Sequence, residues 1–176
     1  MNASIEMRRH LSDTVVREMR GNMRRKDNEI TNKADIEAIL EKAFVCHLGL
    51  SDGDRPYVVP MNYAYEDGHI YLHGAAEGKK LDIIKKNDKV CFEMELFRRE
   101  IIKPGDQPCD WGTAYQSVIG FGTAKLLETD GEKIRALNLI IKPHDDGSFT
   151  FPERMLKLTA VIDITIEGMT GKRAGA

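Results

Sequence analysis

The stretch from Pro56 to Asp82 constrains the fold more than any other part of this chain, because two strand-like segments, a tight turn and the start of a helix follow one another in it without a gap. From Tyr57 onward, alternate side chains point to opposite faces of a predicted strand. Asp67 and Gly68 then predict a tight turn into a second strand that ends at His73. The stretch therefore predicts a β-hairpin that leads directly into a helix.

Three helices are predicted from capping signals and apolar spacing. The first is expected after an N-cap at Thr31 or Asn32, and the second over residues 79–87. The third follows Thr129, where Glu132 completes a capping box. Each of these helices is expected to pack one apolar face against a sheet.

The strand signals dominate the rest of the chain. Strands are predicted over residues 44–50, 57–65, 69–73, 90–97, 114–127 and 158–167. Gly120 and Gly122 predict a bend or bulge, and the last strand is expected to bury alternate residues from Leu158 to Ile166. A polar loop of about fifteen residues, around REIIKPGDQPCDW, precedes the fifth strand. Six strands with hairpin spacing and flanking helices are typical of a small α+β barrel.

Composition narrows the class of protein. With 176 residues, 41% hydrophobic and 31% charged, the chain suits one globular domain. Its net charge of −2, from 26 basic and 28 acidic residues, gives no reason to expect nucleic-acid binding by the whole chain. It shows no apolar run long enough for a membrane span and no apolar signal core, so we expect a cytoplasmic protein.

The three cysteines, Cys46, Cys91 and Cys109, are widely separated along the chain. Two of them lie in predicted strands, which is typical of buried thiols in a reducing compartment, and Cys91 is expected in the core. A disulfide or zinc framework is not expected.

A basic N-terminal extension over residues 1–22 precedes the predicted domain at residues 23–176. The first thirty residues or so carry seven basic residues, which could form an arm that meets phosphate or nucleic acid. The alternative is a loosely packed helix with a solvated charged face, which the lack of interleaved aromatic residues favours. The basic residues are Arg8, Arg9, Arg17, Arg20, Arg24, Arg25 and Lys26.

Lys79 and Lys80 stand where a helix is expected to begin, which is an unusual place for cations. Each should cost about 0.3–1 kcal/mol against the helix dipole unless an anion lies there. A phosphate group is one interpretation, with Gly78 allowing close approach of the backbone. Two exposed lysines at a helix start are the other.

Pro60 supplies no N–H to a β-ladder, so its strand must lie at an edge or open locally. The main chain from Val58 to Asn62 could then contact a flat heterocycle that has its own donors and acceptors. A simple edge strand without a ligand explains the same pattern.

His73 ends the second strand of the hairpin, five residues before Gly78. It could donate a proton or stabilise negative charge on a reduced substrate, or it could be a hydrogen-bonded structural histidine. His69 lies on the same strand face but about 13 Å away at strand rise, too far to share a metal ion with His73. No metal site is expected.

Six motifs follow one another in order between Met23 and Arg173. They are MRRKDNEIT, VCHLGL, the stretch from Pro56 to Asp82, VCFE, YQSVIGFGTAKLL and GMTGKR. Together they resemble the Nim-type 5-nitroimidazole-resistance proteins, a branch of the pyridoxamine 5′-phosphate oxidase-like flavoproteins. The resemblance implies the FMN-binding split barrel, a six-stranded antiparallel Greek-key barrel. It also implies a homodimer with two flavin sites at the subunit interface.

The resemblance further implies roles for individual residues. Lys79 and Lys80 match the pair that holds the FMN phosphate, and His73 matches a catalytic histidine beside the flavin. Trp111 is a candidate stacking wall. The strand that lines the isoalloxazine ring is matched by Val58, Val59, Pro60, Met61 and Asn62, and the strand that reaches the cofactor from the other subunit by Tyr115, Gln116 and Ser117.

The chain departs from the oxidases that act on vitamin B6, because it ends in GMTGKR without their C-terminal Arg/His signature. The leading hypothesis is therefore an FMN-dependent reductase that passes electrons from a nicotinamide nucleotide or another donor to a nitroaromatic or other small acceptor. The alternatives are a flavin or haem carrier or sensor without turnover, and a nucleic-acid binder that uses the basic arm.

Overall fold

The structure is a computed structural model that describes residues 23–103 and 105–175. The predicted basic extension at residues 1–22 lies outside the described residues.

The described residues form eight strands and four α-helices. The strands are β1 (Glu29–Ile30), β2 (Cys46–Asp52), β3 (Arg55–Met61), β4 (Tyr63–Glu66), β5 (His69–Ala75), β6 (Lys89–Ile102), β7 (Gly112–Leu126) and β8 (Thr159–Ala174). The helices are α1 (Lys33–Lys42), α2 (Lys79–Lys86), α3 (Asp130–Ile141) and α4 (Glu153–Lys157). Among them, no helix combines the length and the apolar character needed to cross a membrane.

The strands join in one sheet in the order β3-β2-β6-β7-β8-β5-β4, with β1 paired to β8. The pairs β2–β3, β4–β5 and β5–β8 are antiparallel. A single residue, Asn62, separates β3 from β4 along the chain, although these strands lie at opposite ends of the sheet order. Because consecutive Cα atoms are about 3.8 Å apart, the two ends of the sheet must lie close together. The sheet therefore curls into an incompletely closed barrel, and the predicted α+β split-barrel fold is confirmed.

The hairpin prediction is confirmed in detail. Asp67 and Gly68 both have positive φ angles, 50° and 82°, and join β4 to β5 between the paired residues Glu66 and His69. Positive φ at both central residues is the requirement of a type I′ turn, which explains why aspartate and glycine stand there.

The prediction of one strand over residues 57–65 was wrong. Burial alternates as far as Met61, after which Tyr63 and Ala64 are both buried. Ala64 packs in a cluster with Leu137 and Ile140 of α3, so β4 is covered on a face that β3 leaves open. This division and the two-residue β1 account for eight strands where six were predicted.

Other sequence predictions needed correction. Strand β6 continues to Ile102 and β7 begins at Gly112, so the connection between them is shorter than the predicted loop of about fifteen residues. Leu158 is 56% exposed instead of buried, because it follows α4 immediately, and Cys91 is half-buried. Strand β7 runs without interruption through Gly122, where a Cβ atom would lie 2.5 Å from the carbonyl oxygen of Thr165. This glycine permits close approach of β8.

The chain divides into two compact units. The first comprises residues 1–43, 93–120 and 167–176, and in its described part Ile36 of α1 lies against Gly171 of β8. The second comprises residues 44–92 and 121–166. Its fully buried side chains include Leu48, Ile70, Leu72, Phe92, Ile162 and Ile164.

Arg135 links α3 to the sheet in the second unit through a hydrogen bond and an ion pair. Its guanidinium donates to the hydroxyl of Tyr71 at 3.2 Å and forms an ion pair with Glu66. The hydrogen bond to Tyr71, the largest contribution, raises the pKa of Arg135, so this cation stays charged. The contact joins α3 to both strands of the hairpin.

Thr129 caps α3 as predicted, and replacing it with alanine should lower the free energy of unfolding. The Thr129 hydroxyl accepts from the N–H of Glu132 at 3.3 Å, and the Glu132 carboxylate accepts from the N–H of Thr129 at 3.2 Å. Loss of such a cap costs about 1 kcal/mol. Urea denaturation of wild type and Thr129→Ala at pH 7 measures this loss.

The same cap predicts a pH dependence. Hydrogen bonds from the hydroxyl and the N–H of Thr129 hold the pKa of Glu132 below its ordinary value of 4.5. A carboxyl whose pKa is lowered on folding stabilises the fold above its unfolded pKa and loses that effect as the pH falls through its folded pKa. The stability gap between wild type and Thr129→Ala should therefore narrow below pH 4.5. A gap that stays constant down to the acid transition would contradict the cap assignment.

Candidate functional site

Among the described strands, β3 lies at an edge of the sheet and pairs only with β2. Pro56 and Pro60 oppose Ser51 and His47, four residues apart, so they occupy the same kind of position in the ladder. Because proline cannot donate to a partner strand, we infer that these positions face away from β2. Between the two prolines, Val58 then supplies the N–H on the open edge, flanked by carbonyl groups. This edge suits a planar ligand that is rich in donors.

The side chains predicted along this strand differ in exposure. Val58 is 62% exposed and Pro60 is exposed, whereas Val59 is half-buried and Met61 is buried. Asn62 is exposed at the point where the chain leaves β3 for β4. These five residues therefore offer main chain and one amide side chain to a ligand, while Met61 anchors the strand.

Helix α2 begins with unsatisfied donors. Gly78 precedes it with a φ of 123°, which favours glycine, and a Cβ atom there would meet no other atom within 4 Å. The Gly78 carbonyl accepts from the N–H groups of Leu81 and Asp82 at 3.0 and 3.3 Å. The N–H of Leu81 is therefore occupied. The N–H groups of Lys79 and Lys80 have no partner within the helix.

Lys79 is held by the β2–β3 hairpin. Its ammonium lies 3.3 Å from the carboxylate of Asp52 and 5.2 Å from the centre of the Tyr57 ring. Both side chains of this ion pair are partly exposed, so the pair is worth little stability. The pair shows that the start of α2 lies beside the β2–β3 hairpin.

Lys80 has different neighbours and lies against β5. A Cβ atom at Gly74 would be 2.8 Å from the Nζ of Lys80 and 3.9 Å from the Cε of Met61. Within the described residues, the Lys80 ammonium has neither an ion pair nor a hydrogen bond. The absence of a side chain at Gly74 leaves room for this cation against β5.

His73 carries an unsatisfied polar atom. Its Nδ1 is buried and has no hydrogen-bond partner among the described residues. Leaving such an atom unpaired costs about 1–3 kcal/mol, so a buried orphan is a sign of a missing ligand or water. The structure therefore brings together Lys80 and Met61 at Gly74. The His73 side chain lies on the other face of β5, because neighbouring residues of a strand point to opposite faces.

Trp111, the predicted stacking residue, lies in the first unit and contacts residues of its own loop. Trp111 is 42% exposed, and its indole N–H donates to the carbonyl of Gly105 at 3.1 Å. The ammonium of Lys103 lies 4.3 Å from the centre of the Trp111 ring. One face of the predicted stacking wall is thus covered by its own loop.

Tyr115, Gln116 and Ser117 follow one another in β7, and all three are half-buried. Tyr115 and Gln116 line a cavity of about 400 Å³ in the first unit, together with Lys42. Sequence reasoning missed Lys42 because a lysine in the last turn of a helix is an ordinary complement to the helix dipole. It also missed Gly74 and Asp52, whose contacts with the two lysines depend on the fold.

Comparisons with known proteins identify the family. The sequence model of the pyridoxamine 5′-phosphate oxidase family matches residues 32–173. The chain belongs to this family. No curated protein matches the chain.

Solved structures are similar in fold to this chain. One is a candidate 5-nitroimidazole antibiotic resistance protein from Bacteroides thetaiotaomicron, with 30% identity, a TM-score of 0.73, and 82% of this chain and 86% of that chain covered. The flavocytochrome Anf3 from Azotobacter vinelandii shares 19% identity, with a TM-score of 0.78 and coverage of 88% and 72%. A FAD and haem binding protein from Mycobacterium smegmatis shares 14% identity, with a TM-score of 0.75 and coverage of 85% and 74%. The latter two resemblances show the shared fold.

Proposed function

We propose that this member of the oxidase family is a homodimeric, FMN-dependent reductase that passes electrons from a nicotinamide nucleotide or another donor to a nitroaromatic or other small acceptor. The observation that carries the proposal is the buried Nδ1 of His73, which has no hydrogen-bond partner among the described residues. The Lys80 ammonium at the start of α2, which has no ion pair among the described residues, supports it. The three free cysteines suit a reducing compartment, so we propose the cytoplasm as its location.

The start of α2 would hold the phosphate of FMN. Lys80 offers a free cation, Lys79 offers a second cation that it shares with Asp52, and the open N–H groups after Gly78 add donors. An anion here would also reverse the unfavourable interaction between these lysines and the helix dipole. The residues present therefore fit a phosphate monoester.

The edge of β3 would hold the isoalloxazine ring. The carbonyl groups and the N–H of Val58 on the unpaired side could pair with the ring's own donors and acceptors, and Asn62 adds an amide. The two prolines keep another strand from adding to this edge. We propose that β3 is left unpaired for this ligand.

Bound flavin would supply the electron transfer, and His73 would supply a proton. The net reduction of a nitro group to a nitroso group by NADH consumes one proton and releases water: R–NO₂ + NADH + H⁺ → R–NO + NAD⁺ + H₂O. A protonated Nδ1 of His73 is a donor without a competing partner in the described protein. Its burial excludes bulk water from this proton.

A second subunit would complete each site. In the first unit, Phe97, Ile101, Trp111 and Ile119 are all more than 40% exposed, which is unusual for large apolar side chains and favours association. By the family resemblance, the partner subunit's Tyr115, the partner subunit's Gln116 and the partner subunit's Ser117 would approach the flavin.

A carrier or sensor without turnover is the second candidate. It is favoured by the likeness to a flavocytochrome and to a FAD and haem binding protein. Such a protein would use the same lysines and strand edge but would need no proton donor.

Anaerobic reduction distinguishes the two candidates. We expect NADH or NADPH to bleach the visible flavin absorbance of the purified protein, and a 5-nitroimidazole to restore it. A flavin that stays oxidised with both nucleotides and with other physiological donors would contradict the reductase and favour the carrier.

A further inference from the structure

The cavity in the first unit combines apolar walls with unpaired polar groups. Leu96, Phe97 and Ala114 supply apolar surface, and the cavity measures about 400 Å³. Cavities of roughly 300–1,000 Å³ with a few polar groups on apolar walls are typical of small-molecule sites.

Three polar side chains line this cavity, namely Lys42, Tyr115 and Gln116. Across residues 23–103 and 105–175, none of the three forms a hydrogen bond or an ion pair through its side chain. The cavity thus presents an ammonium, a phenol and an amide that are all available to a ligand. No acidic residue lines the described wall, so its formal charge is positive.

We propose that this cavity binds a small organic acid, with its apolar body against Leu96, Phe97 and Ala114 and its carboxylate at Lys42. Gln116 and Tyr115 can donate further hydrogen bonds to the carboxylate oxygens. A neutral aromatic molecule would leave the Lys42 charge unmatched, and an organic cation would meet repulsion. The chemistry of the lining therefore selects anions.

This inference rests in part on the proposed function, because Tyr115 and Gln116 are also the residues expected to approach the partner's flavin. It names the acceptor class as aromatic acids that carry a reducible group, such as a nitrobenzoate. Lys42 would then determine specificity.

The test compares 4-nitrobenzoate with its neutral analogue 4-nitrobenzyl alcohol by isothermal titration of the full chain as purified. We expect the acid to bind at least about tenfold more tightly, the value of one charge-assisted hydrogen bond. Lys42→Met should remove this preference and Lys42→Arg should keep it. The matched control is Lys33→Met at the other end of α1, where the lysine pairs with Glu37 at 3.3 Å. It should also keep the preference.

Equal affinity for the two probes, or an undiminished preference in Lys42→Met, would overturn the inference. Circular dichroism shows whether Lys42→Met is folded. Binding by Lys42→Arg shows whether the positive charge at this position is sufficient for the preference. Flavin content separates this result from the proposed function. An acid preference without bound flavin would leave the cavity assignment standing and reject the reductase. Bound flavin without an acid preference would overturn the cavity assignment and leave the proposed reductase standing.

Discussion

Replacing His73 with alanine is expected to slow the reoxidation of the reduced protein by a nitroimidazole by about 10²–10⁴-fold, the usual contribution of a positioned general acid. The physical reason is that the buried Nδ1 of His73 has no partner in the described protein to hold or share its proton. Stopped-flow absorbance under anaerobic conditions measures the rate. FMN affinity should change little, because the phosphate contacts come from α2.

The matched control is His69→Ala, four residues earlier on the same strand. The His69 ring already pairs with Asp163 at 2.8 Å, so its proton is committed to a structural contact. This variant should reoxidise at close to the wild-type rate, although losing the pair with Asp163 should lower its thermal stability. A His73→Ala protein that turns over as fast as wild type would remove the catalytic assignment.

Replacing Lys80 with methionine is expected to weaken FMN binding by about tenfold or more, as for the loss of one hydrogen bond to a charged group. Lys79→Met should weaken it less, because the Lys79 ammonium is already shared with Asp52. Fluorescence titration of the flavin-free protein measures both affinities.

Riboflavin, which lacks the phosphate, provides the ligand control for these two variants. Its affinity should be the same in wild type, Lys79→Met and Lys80→Met, since only the phosphate contacts are changed. An equal loss of riboflavin and FMN binding would show that the lysines support the fold of α2 instead of the phosphate. Greater sensitivity at Lys79 would reverse the assigned roles of the pair.

Local signals predicted the elements that depend on neighbouring residues. The turn at Asp67 and Gly68, the N-cap at Asn32 and the capping box at Thr129 all follow from short-range backbone geometry, and the structure confirms them. The edge position of β3 was also predictable, because Pro60 cannot take part in a ladder on both sides.

Features that depend on distant contacts could not be predicted. The break at Asn62 arises because β3 pairs with β2 while β4 pairs with β5, and the side-chain alternation along the chain is the same whichever strand is the partner. The unequal surroundings of Lys79 and Lys80 depend on Asp52 and Gly74, residues distant in sequence that the fold brings to the helix start. From the sequence alone, the two lysines could not be distinguished.

The most direct test of the central claim is the identity and stoichiometry of the flavin in the purified protein, measured by chromatography of the released cofactor and by the mass of the native assembly. The account predicts a dimer that carries FMN at one molecule per chain and loses it in the Lys79→Met/Lys80→Met double variant. A protein that carries FAD instead, or one that stays colourless after incubation with excess FMN, would contradict it.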